Sequence, residues 1–141
     1  MAYATQQDII DLYGEDCLSA SADRDSDGSA DSTPVTNALD TASNEIDSYL
    51  GTLYDIPLTS VPDQVKTVCI DIAIYRLSYG FGAGLTDEKA KRYDNAIRWL
   101  RDAAKGIVTL AVDTGPVETS ANVISFHSDR RQFVRCHTRG L

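Results

Sequence analysis

The sequence predicts a mainly α-helical protein: a small four-helix bundle-like domain with a C-terminal β-strand or extended arm. Three observations carry this. Residues 63–77, DQVKTVCIDIAIYRL, run for fifteen positions without Gly or Pro, nine of them apolar. That is long for a strand, and on a helix the apolar residues cover nearly the whole circumference, as in an element buried on several sides. Two further stretches repeat apolar residues at helical spacing: Val35, Leu39, Ala42, Ile46, Tyr49, Leu50 and Leu53, then Tyr93, Ala96, Ile97, Leu100 and Ala104. After Gly106 the pattern shortens and alternates weakly, and helical periodicity disappears.

The expected helices lie near residues 5–13, 34–50, 62–79 and 86–105. Thr5 and Asp8 have capping-box spacing at the start of the first, with Ile9, Leu12 and Tyr13 as its apolar face and Gly14 as its stop. Residues 15–22 suggest one further turn. Thr33 and Pro34 read as a cap and a first-turn proline for the second helix, whose Asp40, Asn44, Asp47 and Ser48 are expected to face away from the core. Residues 54–61, with Pro57 ahead of Pro62, form an extended connector. Pro62 suits the first turn of the central helix, which leaves Thr67, Asp71 and Ser78 as a narrow polar stripe. Gly80, Gly82 and Gly84 follow a helix instead of a strand, so they read as an interhelical loop and not a phosphate-binding turn. Thr86 caps the fourth helix, with Asp87 and Glu88 in its first turn and Lys105 in its last, as the helix dipole favours. Trp99 falls at the edge of its apolar stripe. Residues 107–112, IVTLAV, look like a strand, and residues 122–127 and 132–136 could pair as a hairpin or run extended. The division is therefore a helical domain over 1–112 and an arm over 113–141, the arm too poor in apolar residues to build its own core.

The most specific short motif is the acidic turn DRDSDGSAD. Asp23, Asp25, Asp27 and Gly28 match the opening D-x-D-x-D-G of a calcium loop, Ser29 would offer its carbonyl, and Asp31 falls at the ninth position. Alternate carboxylates can converge on one hard cation while the glycine permits a sharp turn. The match stops at the twelfth position, where a bidentate Glu is replaced by Pro34. The readings are a possible Ca2+ site of reduced affinity, held by Asp23, Asp25, Asp27, Ser29 and Asp31, or a solvated Asp/Gly turn leading into a helix.

The net charge of −8 hides an asymmetry. Residues 1–63 hold thirteen acids and one base, whereas residues 64–141 hold eight acids and twelve bases. Arg130, Arg131, Arg135 and Arg139 crowd the end around Phe133. These five are the candidate partner-binding residues, and the charge opposition suits copies meeting head to tail, or a basic tail on nucleic acid. Cys17, Cys69 and Cys136 are odd in number and widely spaced, which gives neither a disulfide framework nor a zinc knuckle. Only His127 and His137 occur, and with Cys136 they match no standard metal spacing. No Walker loop, nucleophile elbow or H-E-x-x-H is present, so no residue is assigned a catalytic role and no enzyme is expected. Neither a signal peptide nor a span of ~18 uncharged apolar residues appears, which points to a chain made in a cytoplasm with no membrane partner.

The order of these features resembles the small head–tail connector (adaptor, or head-completion) proteins of tailed bacteriophages, of the phage Mu-like type. YATQQDIIDLYGED looks like the family's start and ADRDSDG is similar to its acidic turn. ALDTASNEIDSYLGTLYDIPL is close to its second-helix segment, and VKTVCIDIAIYRL and KRYDNAIRWLRDAAKGIVTL complete it. The resemblance covers about residues 2–112. The tail, VISFHSDRRQFVRCHTRGL, only loosely resembles the family's arginine-bearing C-terminus. It implies a non-catalytic structural protein of the virion neck, made in the host bacterial cytoplasm. Such a protein forms a ring, commonly of twelve copies, below the portal protein and above a tail-side neck or tail-terminator protein. The ring continues the channel through which DNA leaves without specific binding, and an acidic wall would repel phosphates. Two other classes stay open: a calcium-binding helical module built on the acidic turn, and a nucleic-acid-binding protein using the basic tail.

Overall fold

A computed structural model describes residues 2–81 and 85–110. It contains five helices in chain order: α1 (Gln6–Tyr13), α2 (Glu15–Ala22), α3 (Ser32–Leu50), α4 (Asp63–Phe81) and α5 (Asp87–Ala104). The expected arm over 113–141, with Arg130, Arg131, Phe133, Arg135, Arg139, Cys136 and both histidines, lies outside the described residues, as do Gly82 and Gly84.

The local signals act where the sequence puts them. Thr5 and Asp8 form a reciprocal capping box: the Asp8 carboxylate accepts from the Thr5 N–H at 2.7 Å, and the Thr5 hydroxyl accepts from the Asp8 N–H at 3.3 Å. The Thr5 hydroxyl and N–H together hold the Asp8 carboxyl below its usual range. At α5 the Thr86 hydroxyl accepts from the Lys89 N–H at 3.4 Å. Pro62 stands just ahead of α4 and its carbonyl receives the N–H groups of Val65 and Lys66. Gly51 closes α3 where the connector folds back, since a Cβ there would collide with the Ile56 side chain.

Three expectations are corrected. Residues 15–22 form a full two-turn helix, α2, so five helices stand where four were expected. α3 starts at Ser32 with Asp31 as its N-cap residue, two positions before Pro34. Residues 107–110 are not a strand. The N–H groups of Ile107 and Val108 turn back to the Asp102 carbonyl, and the Leu110 N–H donates to the Tyr54 hydroxyl at 3.0 Å. Helix-end bonding outweighs the β-branched composition because, among the described residues, no neighbouring strand offers a ladder.

α4 is the axis of the fold and packs against α2, α3 and α5. Val65, Val68, Cys69, Ile70, Ile72, Ala73, Ile74 and Leu77 are all buried along it. They meet Val35, Leu39, Ala42, Ile46 and Leu50 of α3, and Ala96, Ile97, Leu100 and Ala103 of α5, in one core. Trp99 is half-buried at that core's edge, as its position in the stripe predicts. Tyr93 bonds Glu45, Ile97 and Arg101 share a groove with Tyr49, and Leu110 reaches Tyr54, so α3 and α5 run in the same direction. α4 runs against α5: Tyr75 stacks on Tyr93, and Ser78 meets Lys89.

Candidate functional site

The acidic turn links α2 to α3, and its backbone is shaped by its own side chains. Ser26 and Gly28 both have positive φ, at 61° and 88°: Gly28 is free of a Cβ penalty, while Ser26 carries one and has its N–H bonded to the Asp23 carboxylate. The Asp23 carboxylate accepts from the N–H groups of Ser26 at 2.6 Å and Gly28 at 3.0 Å. Asp27 accepts from the Ser29 N–H at 2.7 Å. The result places carboxylate oxygens of Asp23, Asp25 and Asp27 within 4.8 Å of one another. Asp31 stands outside this group, where its carboxylate accepts from the Arg24 N–H at 3.1 Å and its own N–H donates to the Ala22 carbonyl. The turn thus brings together three of the four aspartates that the motif singles out. Desolvation raises the Asp23 carboxyl, but the N–H groups of Gly28, Ser26 and Asp27 together outweigh it and hold the carboxyl below the usual range. Asp25 receives one N–H from Asp27, but desolvation and the charges of Asp27 and Asp31 leave its carboxyl raised. Crowded, preformed and exposed carboxylates of this kind suit a hard cation with oxygen ligands. Pro34, at the twelfth position, sits inside α3 and brings no carboxylate.

Other polar groups are spent on holding the helices together, in pairings that the sequence reading missed. Asp47, expected to face away, accepts from the Tyr3 hydroxyl, which in turn accepts from the Leu58 N–H at 3.3 Å. Burial, then the Asp47 carboxylate, push the Tyr3 phenol up to about 12. Asp71 of the supposed polar stripe accepts from the Tyr13 hydroxyl, and burial and that carboxylate likewise push Tyr13 up to about 12. The Arg92 guanidinium lies 4.9 Å from the Tyr13 ring centre and also meets Glu88. Ser78, the last member of the stripe, is buried: the Lys89 ammonium donates to it at 2.8 Å and to the buried Ser21 at 3.2 Å. Cys69 is fully buried 3.6 Å from the Ser43 hydroxyl, and burial pushes its thiol up, which leaves it an inert core residue.

A different surface lies where α3, α4 and α5 meet. Tyr79 is 72% exposed and stacks on Tyr75 at 6.3 Å between ring centres; Tyr75 stacks on Tyr93 at 4.2 Å. Tyr93 donates to Glu45 at 3.2 Å, and Glu45 pairs with Arg76 at 2.6 Å. Beyond Tyr93 a groove of about 340 Å³ continues between Tyr49 and Asp94, Ile97, Arg98 and Arg101. The spacing of Tyr75 and Tyr79, four apart on one helix, is the sequence signal for this ladder.

The family model described as "Bacteriophage Mu, Gp36" matches residues 3–127. The chain belongs to the bacteriophage Mu Gp36 family. It is 34% identical over 110 residues to the "Mu-like prophage FluMu protein gp36" of Haemophilus influenzae, covering 78% of this chain and 76% of that one. It is 28% identical over 138 residues to "Gene product J" of Escherichia phage Mu, covering 96% of each. The helical domain and its acidic turn are therefore those of a Mu-like phage protein. Among the described residues, no helix is long and apolar enough to cross a membrane.

Proposed function

We propose that the chain is a structural protein of the phage neck: a ring-forming head–tail connector that completes the head below the portal and continues the DNA channel to the tail. The observation that carries this reading is membership of a Mu-like phage family over residues 3–127, in a domain where several polar side chains tie helix to helix. The exposed tyrosine ladder and the opposed charge of the two halves of the chain support assembly through surfaces. Portal, tail-side neck protein and further copies of this chain are the partners, in a ring of about twelve. DNA passes an acidic surface without specific contacts.

The test is electron microscopy of particles from a phage lacking this protein, with the protein supplied in trans. Filled heads without tails, rescued by the supplied chain and with density for it at the neck, are the expected outcome. Absence of the chain from purified virions would sink the reading. Binding of DNA by the isolated chain, steeply dependent on salt, would favour the basic-tail alternative instead.

A second reading concerns the acidic turn. The convergence of Asp23, Asp25 and Asp27 favours a Ca2+ ion there, as a local clamp between α2 and α3 within the same structural protein. Calorimetric titration with calcium, silent if the turn is only a turn, tests it.

A further inference from the structure

We infer that the groove carrying the tyrosine ladder receives the α1–α2 corner of a second copy of this chain. This rests on the ring reading and names the two surfaces that would close it. The first surface combines an aromatic ladder of Tyr75, Tyr79 and Tyr93 with the exposed cations Arg98 and Arg101; Arg76 beside them is paired with Glu45, and Asp94 shares the groove, so the surface is positive by the excess of arginines over acids. Tyr and Arg are the residue types that dominate binding hot spots, because each offers large, stiff area together with polar ends. Tyr79 is the most exposed of the large apolar side chains described, although it stands on the helix that forms the centre of the core.

The second surface is unlike the first. Leu12 is 52% exposed and is flanked by the exposed carboxylates of Asp11, Glu15 and Asp16. An apolar residue ringed by acids is complementary to tyrosines beside the Arg98 and Arg101 pair, whose charge outweighs that of Asp94.

The placement of the two surfaces decides the kind of contact. Arg92 and Lys89 of α5 turn toward Tyr13 and the α2 side, whereas the next residues round, Tyr93 and Ile97, turn toward α3. The acidic corner and the tyrosine groove therefore lie on opposite flanks of α5. Two unlike patches on opposite flanks make a heterologous, head-to-tail contact, which closes into a ring when the rotation per copy permits. Self-complementary pairing of the groove with itself would bring arginines against arginines.

The experiment measures assembly mass of the full chain by native mass spectrometry and sedimentation, with circular dichroism to show that each variant folds. Arg98→Glu with Arg101→Glu is expected to weaken assembly by about tenfold or more, as is Asp11→Lys with Glu15→Lys. All four changes in one chain are expected to restore it. A folded four-fold variant that stays apart overturns the pairing. So does assembly of either two-fold variant at wild-type strength, which leaves the ring reading intact with its contacts elsewhere. Tyr79→Asp separates a further occupant. If it leaves assembly unchanged but exposes residues 111–141 to protease, the chain's own tail fills the groove and the inference falls. A wild-type chain that stays monomeric at every concentration removes the ring reading and this inference together.

Discussion

Ile72 is the position at which the fold is most open to test. It is fully buried in the middle of α4, against which α2, α3 and α5 pack. Ile72→Val removes one methyl group and is expected to cost about 0.5–1.5 kcal/mol, while Ile72→Ala, which leaves a cavity, costs about 2–5. With a urea dependence of roughly 1–3 kcal/mol per molar, a loss near 3 kcal/mol lowers the midpoint by about 1–3 M. Ile72→Asp adds an unpaired charge to the same site. That penalty is several kcal/mol more, against a total stability of roughly 5–15, so this variant is expected not to fold. Tyr79→Ala on the same helix is the control. Its side chain is 72% exposed, so a change within about 0.5 kcal/mol is expected. Urea unfolding followed by circular dichroism measures the series. An Ile72→Asp chain that unfolds at the wild-type midpoint would show that α4 is not the core, and the whole packing argument would fail with it.

Three further outcomes are expected. Because the neutral phenols of Tyr3 and Tyr13 are favoured in the fold, with both groups at about 12, their contribution is complete below their ordinary value of 10.0 and is lost as pH rises through 12. The melting temperature should therefore drop across that window and drop less in Tyr3→Phe, with phenolate absorbance rising in step; equal drops would remove the Tyr3–Asp47 account. If the acidic turn holds calcium, a chelator should lower the melting temperature relative to millimolar calcium, and Asp25→Ala should erase the difference; identical melts leave a bare turn. A chain ending at Asp113 should keep its helical content and melting temperature yet fail to complement a phage lacking the protein; unfolding of that chain would make residues 114–141 part of the fold.

The helices were legible because their signals are local. The Thr5–Asp8 box, the Thr86 cap and stripes such as Ala96, Ile97 and Leu100 need only a few neighbouring residues to be read. α2 was read as a single turn because EDCLSASA offers one large apolar residue, Leu18; its burial depends on Ser21 and Ala22, which are small enough to sit close against other helices. Ser78 looked like solvent stripe for the same reason, and only the third dimension supplies Lys89 and Ser21 as its partners. The tyrosine–carboxylate pairs join residues 44 and 58 positions apart, so no window along the chain contains both members. In the acidic turn the D-x-D-x-D-G spacing gathers three carboxylates, because Ser26 and Gly28 curl the chain around Asp23. The strand expected after Gly106 failed where propensity alone was the argument, since a strand needs a partner and a helix end needs its carbonyls capped.

The bond from the Leu110 N–H to the Tyr54 hydroxyl ties residues 107–110 back beside the end of α3. Thirty-one residues follow that point, Arg130, Arg131, Arg135 and Arg139 among them. In the proposed ring every copy would hold Leu110 at an equivalent point, so whatever the residues after it bind would be met at regular intervals. A contact too weak to form between free molecules would then be made many times over within one assembly, by repetition alone. Tyr54 would thus set where those repeated contacts begin without touching any partner.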